Sequence, residues 1–276
     1  MFQFQRKCLL VLAILVGLLA VGLAQPAGAV INGTPDGTTH RNVGALVTVD
    51  ETGALHGGAP SGVLVAPTVM VVAGHSVFLG DLGSLAEQGR LFVSFAPTVD
   101  LTSTANDIRV VHAEGLFPAI DIGVLVLAEP AHDAQGPITP ARLPTAGLLD
   151  QLAAAHQLQG LPLTLVGYGV SVMVDNRTPD FSTLGTRRNG AQRAQALPEG
   201  HPLDLLVSVN VTTPNPVTPG VGDSGGPYFL EGSNTPVGIV SFTPPAGFLQ
   251  ASWWAATRLD TPEVRSFLAS FGVPLP

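Results

Sequence analysis

An all-β protein of two β units with one C-terminal helix is the fold class this sequence predicts, and three observations lead there. The chain is 46% apolar and only 12% charged, with 32 Gly and 24 Pro, the composition of a turn-rich globular protein. β-Branched and apolar runs of four to nine residues recur between turn clusters, as in a protein of short strands. Only one segment, near the end, carries a clear helical period. At 276 residues the chain is long enough for one large all-β domain or two small ones, and either buries a sizeable core.

Residues 1–29 stand apart from the fold. Arg6 and Lys7 give a positive start, Cys8 to Ala24 is uncharged and mostly apolar, and Gln25-Pro26-Ala27-Gly28-Ala29 ends in an A-x-A pattern. This is the layout of a secretory signal peptide cleaved after Ala29, which implies a secreted, extracellular protein without stable membrane association. An uncleaved membrane anchor is the alternative, because the apolar run is long. Cleavage would remove Cys8, the only cysteine, and leave 247 residues (276 − 29). A core of that size does without disulfides.

Cleavage would also remove the sole lysine, Lys7, leaving ten Arg against twenty Asp plus Glu, a formal charge of −10 (10 − 20). That charge argues against nucleic acid as a partner. The chain has no like-charge blocks, no heptads and no repeat of 20 to 50 residues.

In the first unit, strands are predicted at Gly44–Val49, Gly62–Val65, Val69–Ala73, Leu91–Phe95, Ile108–His112 and Ile122–Leu127. A Pro-rich linker from Pro130 to Pro162 contains Leu148–Leu158, a short helix candidate. Further strands follow at Leu163–Val170, Leu203–Val209, Thr235–Phe242 and Ala251–Leu259. The domain boundaries are therefore 1–29 for the leader, 30–140 for the first unit, and 141–276 for linker, second unit and helix. That helix has Thr261 as N-cap, Pro262 in the first turn, and Val264, Phe267, Leu268 and Phe271 at i, i+3, i+4 and i+7; Gly272 and Pro274 stop it. It is expected to pack on the second unit.

The most specific motif is Gly222-Asp223-Ser224-Gly225-Gly226-Pro227. Acyl transfer needs an exposed hydroxyl on a tight turn with neighbouring N–H groups aimed at a developing oxyanion, and side chains flanking the serine would obstruct that approach. A Gly-rich hairpin with an incidental serine is the competing reading. The hydroxyl needs a base, and seven histidines are present. His75 ends an apolar strand that runs into a small-residue turn, a setting that holds an imidazole rigidly. His40, His132 and His201 read as surface loop residues, whereas His56, His112 and His156 suggest structural roles. Gly222-x-Ser224-x-Gly226 also fits the nucleophile elbow of α/β-hydrolases, in which the histidine follows the serine. No histidine follows Ser224, so only an order of histidine, acid, serine remains open.

At this point three blocks resemble, in order, those of the chymotrypsin-like serine proteases, with the look of a secreted, bacterial-type member: Ala73-Gly74-His75, Asp121-Ile122-Gly123-Val124-Leu125-Val126-Leu127 and the Ser224 hexapeptide. Val30-Ile31-Asn32-Gly33 resembles the family's mature N-terminus, and Ser61 to Pro67 the strand leading to the histidine. Leu165 to Gly169, Val237 to Phe242 and Ala256 to Leu259 resemble later strands. The resemblance implies two six-stranded antiparallel β-barrels packed together, and a serine endopeptidase that uses no cofactor and no metal. His75 would be the general base, Asp121 its orienting acid and Ser224 the nucleophile. The N–H groups of Gly222 and Ser224 would form the oxyanion hole. Thr218, Ser241, Phe242 and Thr243 would bind substrate, and the freed amine of Val30 would pair with Asp223 as the activation ion pair.

Departures from the family pattern shape the expected specificity. Pro60 and Ser76 stand where the disulfide beside the histidine would be. Thr218, six residues before the serine, is not acidic, which disfavours cleavage after Arg or Lys. Trp253 and Trp254 fall near the pocket wall and suggest a shallow pocket for small apolar side chains, unless they are core residues. The expected partner is a polypeptide substrate and the expected state a monomer. The alternative is a protease homologue that binds a partner without turnover. A calcium loop near Asp81 to Glu87 stays open, and N-x-T sequons stand at Asn32, Asn176 and Asn210.

Overall fold

A computed structural model describes residues 30–56, 60–175, 178–201, 203–208, 216–242 and 253–276. The leader 1–29, Thr243, and the sequons at Asn176 and Asn210 lie outside the described residues.

Six antiparallel strands close the first barrel: β2 (Val43–Val49), β4 (Ser61–Ala66), β5 (Val69–Val72), β8 (Gly123–Leu127), β7 (Ile108–Gly115) and β6 (Leu91–Ser94), with β6 returning to β2. A two-residue strand β3 (Leu55–His56) extends β2 as a hairpin, and β9 (His132–Asp133) pairs with β10 (Gly136–Pro137) in a separate small hairpin. Strands β4 and β5 are buried at every position, because one face fills the barrel and the other faces a neighbouring layer. Leu46, Leu64, Met70, Leu91, Phe95 and Leu125 form one interior cluster.

The second barrel closes in the same way through β12 (Arg188–Ala196), β11 (Pro162–Gly167), β14 (Pro227–Leu230), β15 (Pro236–Phe242), β16 (Trp253–Arg258) and β13 (Asp204–Ser208), with β13 returning to β12. Leu163, Leu165, Leu205, Val207, Tyr228 and Val237 belong to its cluster. A third cluster draws on both barrels, with Val63, Val71 and Val124 from the first and Val166, Phe229 and Ile239 from the second. The fold is the chymotrypsin-like double barrel followed by a C-terminal helix.

A buried ion pair also ties the barrels together. Arg187 and Asp36 are both fully enclosed, 3.0 Å apart, and the guanidinium donates further to the Val43, Phe95 and Gly37 carbonyls and to the Tyr168 hydroxyl. Burial opposes ionisation of Asp36, but hydrogen bonds from His40 and Asn189 outweigh it and hold the carboxyl at about 2. His40 is therefore not the surface loop residue expected from its neighbour Arg41: its Nδ1 lies 2.6 Å from Asp36 and its ring stacks on Phe229.

Further expectations are corrected. The first described strand belongs with the second barrel rather than the first, since β1 (Thr34–Pro35) pairs with β12. Two short helices, α1 (Gly74–Leu79) and α2 (Leu82–Glu87), follow β5, so Leu82 to Glu87 is helical instead of a loop, with Asp81 preceding it at φ 48°. The linker helix α3 (Leu148–Ala154) is shorter than predicted; His156, just beyond it, has φ 57°. The last helix, α4 (Pro262–Ser270), has Thr261 as its N-cap and buries Val264, Phe267 and Leu268. Beyond its end, Phe271 lies 6.1 Å from the His112 ring on β7, so this terminal segment reaches the first barrel too.

Candidate active site

His75 is the second residue of α1, placed there because β5 ends at Val72 and Ala73 stays extended. Gly74 is required at this point, since a Cβ on it would come within 2.7–2.8 Å of the Ile122 backbone. That close approach brings Asp121 to the histidine. The His75 N–H donates to Asp121 Oδ1 at 2.7 Å, and His75 Nδ1 stands 2.8 Å from Oδ2.

The second barrel holds the same carboxylate from the other side. Ser241 Oγ on β15 donates to Asp121 Oδ2 at 2.5 Å, and Thr257 Oγ1 on β16 donates to the Asp121 carbonyl at 3.0 Å. Burial opposes ionisation of Asp121, yet the hydrogen bonds from His75 and Ser241 prevail and keep its carboxyl below the usual carboxylate range. With Nδ1 committed to Asp121, Nε2 is the ring nitrogen left to face the cleft.

Ser224 lines that cleft together with His75 and Asp121. The cleft has a volume of about 790 Å³. No hydrogen bond joins Ser224 Oγ to His75; contacts of this kind often tighten only with substrate in place. Two backbone donors on the serine turn have no acceptor among the described residues: the N–H groups of Gly222 and Ser224. The intervening Asp223 N–H is occupied by the Gly220 carbonyl at 3.0 Å. Gly222 has φ 94°, a conformation open to glycine and strained for other residues. The arrangement supplies a nucleophile candidate, a base oriented by a carboxylate, and a pair of free N–H donors.

The glycines after the serine have a reason that differs from the one the sequence suggested. A Cβ on Gly225, at φ 80°, would come 2.4 Å from the Ser61 carbonyl and 2.7 Å from the Ala73 nitrogen. A Cβ on Gly226 would come 2.6 Å from the Val166 carbonyl of the second barrel, so both glycines are small because barrel backbone packs against them, not to clear a path for an incoming carbonyl.

Asp223 is fully buried and accepts from the N–H groups of Gly169 and Gly220 at 2.9 and 2.8 Å, and from that of Val30. Burial dominates, and with backbone N–H groups as its only partners among the described residues the carboxyl is pushed up to about 7. Val30 is itself fully buried, so the sequence-predicted pair is together in space.

Ser241 and Phe242 line the cleft as expected, and Trp254 lines it while only 3% exposed. Thr218 does not line it. Its side chain is enclosed, and its backbone pairs with Ile31, its N–H donating to the Ile31 carbonyl, which turns the segment toward the chain start. Thr218, expected to bind substrate, is therefore not among the described residues that line the cleft. Residues missed from the sequence include Ser61 and Thr257, whose hydroxyls bond to the turn and the acid, and Phe117, Leu203 and Asp204 on the cleft lips. Burial raises the Asp204 carboxyl. His201, expected as a surface residue, is exposed but lines the cleft beside it.

No family profile matches the chain, and no curated protein does. Among solved structures, HL collagenase superposes with a TM-score of 0.65 at 17% identity, covering 89% of this chain and all of that one. A scabies mite inactivated protease paralogue, S-I1, superposes at 0.61 and 15% identity, covering 87% and 97%. At such identities the likeness carries the fold, the chymotrypsin-like double barrel, and leaves the chemistry to the site.

Proposed function

We propose that this chain is a secreted serine endopeptidase. The observation that carries the reading is the convergence, in one cleft, of a carboxylate-oriented histidine, a serine, and free N–H donors flanking Asp223. In the reaction Ser224 Oγ attacks the scissile carbonyl as His75 Nε2 takes its proton, with Asp121 stabilising the imidazolium. Gly222 and Ser224 N–H groups receive the oxyanion. His75 then protonates the departing amine, and water hydrolyses the acyl-enzyme by the same route. The proteases with this fold support the class, and the leader pattern of residues 1–29 supports export.

Trp254, nearly buried in the cleft, favours small apolar side chains before the scissile bond. The same tryptophan favours the second reading, a binding protein with the protease fold; the mite paralogue of this fold is itself an inactivated protease. Activation follows from Val30: freed by cleavage after Ala29, its ammonium would sit against Asp223 and hold the serine turn. Replacing Ser224→Ala tests the function. A folded, secreted variant with under about 1% of wild-type peptide hydrolysis is expected, because triad members act as a unit worth orders of magnitude. Activity retained at wild-type level refutes the assignment.

A further inference from the structure

We propose that Ser61, at the start of β4 and facing the serine turn, is a positioning residue whose hydroxyl sets the orientation of the oxyanion donors; this rests on the peptidase reading. Ser61 is fully buried and makes contacts with both ends of the turn. Its Oγ donates to the Gly222 carbonyl at 2.9 Å, and its own N–H donates to the Ser224 carbonyl at 3.0 Å.

The direction of the first bond is fixed by a third. Ser61 Oγ accepts from the Tyr168 N–H at 2.8 Å. That group can only donate, so the single hydroxyl proton is left for the Gly222 carbonyl. Tyr168 immediately follows β11 of the second barrel, so one hydroxyl joins a strand of the first barrel, a strand end of the second and the turn between.

Gly222 makes such a device necessary. The glycine permits φ 94°, but the lack of a Cβ also lets the adjoining peptide groups rotate at little cost. An outside contact must select one orientation. Ser61 pins the Gly222–Asp223 peptide at its carbonyl, Gly220 receives its N–H, and the Val170 N–H holds the preceding Val221 carbonyl at 2.8 Å. The Gly226 N–H holds the Asp223 carbonyl at 2.8 Å, so the peptides that carry the Gly222 and Ser224 N–H groups, and the one between them, are each held by a hydrogen bond.

The test compares wild type with Ser61→Ala and Ser61→Cys, the second keeping the volume while weakening the hydrogen bonds. Expected for both is a kcat lower by roughly ten- to a hundredfold, between the loss of one ordinary hydrogen bond and that of a whole oxyanion donor. KM should stay within about twofold, since the donors act on the transition state more than on bound substrate. Affinity for a peptide boronic acid, which forms a tetrahedral adduct, should weaken by a similar factor, while that for the product peptide should not. Amide hydrogen exchange in residues 220–226 should accelerate. Unchanged kcat per active site, with only a lower Tm, overturns the proposal, as does a rise in KM alone. If wild type forms neither an adduct nor product, the peptidase reading fails by itself. Exchange then decides the matter for Ser61: acceleration keeps it as the holder of the turn, and unchanged exchange removes it.

Discussion

Asp223 makes the pH dependence of stability a reporter of how this chain begins. While Val30 is peptide-bonded to Ala29, its nitrogen is an amide, and the buried carboxyl has only N–H donors as partners. Its value stands at about 7 in the fold against an ordinary 3.8. Below pH 4 both folded and unfolded chains hold the proton. Between pH 4 and 7 the unfolded chain has lost it and the folded one has not, so stability falls as pH rises. At about 1.36 kcal/mol for each tenfold difference in proton affinity, that amounts to about 4 kcal/mol lost by pH 7. A chain beginning at Val30 places an ammonium there, which pulls the Asp223 value down and removes that loss. The amine's own value, about 7.7–8.0 when unperturbed, rises in the pair, so its contribution is full below that value and fades as pH climbs through the raised one. Urea unfolding of a Val30-initiated protein and of one with a single extra residue should therefore diverge. The gap should widen by several kcal/mol between pH 4.5 and 7.5, and Asp223→Asn should abolish the widening. Parallel profiles would refute the buried-carboxyl account.

Arg187→Met should cost about 3–5 kcal/mol in urea unfolding, because Asp36 would stay buried without its cation; a loss under 1 kcal/mol would mean that the pair does not hold the barrels. Trp254→Gly should broaden the accepted residue before the scissile bond from Ala or Val toward Leu and Phe in a peptide library, and an unchanged profile would place the indole outside the specificity pocket.

The two β units, most strands and the C-terminal helix were legible because their burial follows apolar residues. The longest strand, β12, was not. Its buried positions are Arg188, Gly190, Gln192 and Ala194, so its inward face has no hydrophobic alternation to read; Gln192 instead donates to the Val217 carbonyl. The candidate triad was legible through short blocks whose glycines mark close backbone approaches, as at Gly74. Ser61 and Thr257 were not, since a hydroxyl on a strand says nothing of the neighbour it meets across two barrels. The enclosure of Thr218 likewise follows from pairing with Ile31, distant in sequence.

Labelling with a fluorophosphonate tests the central claim most directly, because it requires a serine that is both nucleophilic and seated among oxyanion donors. The folded protein should take up one equivalent, mapped to Ser224 by peptide mass analysis, and His75→Ala should slow the reaction by orders of magnitude. A folded protein that takes no label, or labelling that persists in Ser224→Ala, would contradict it.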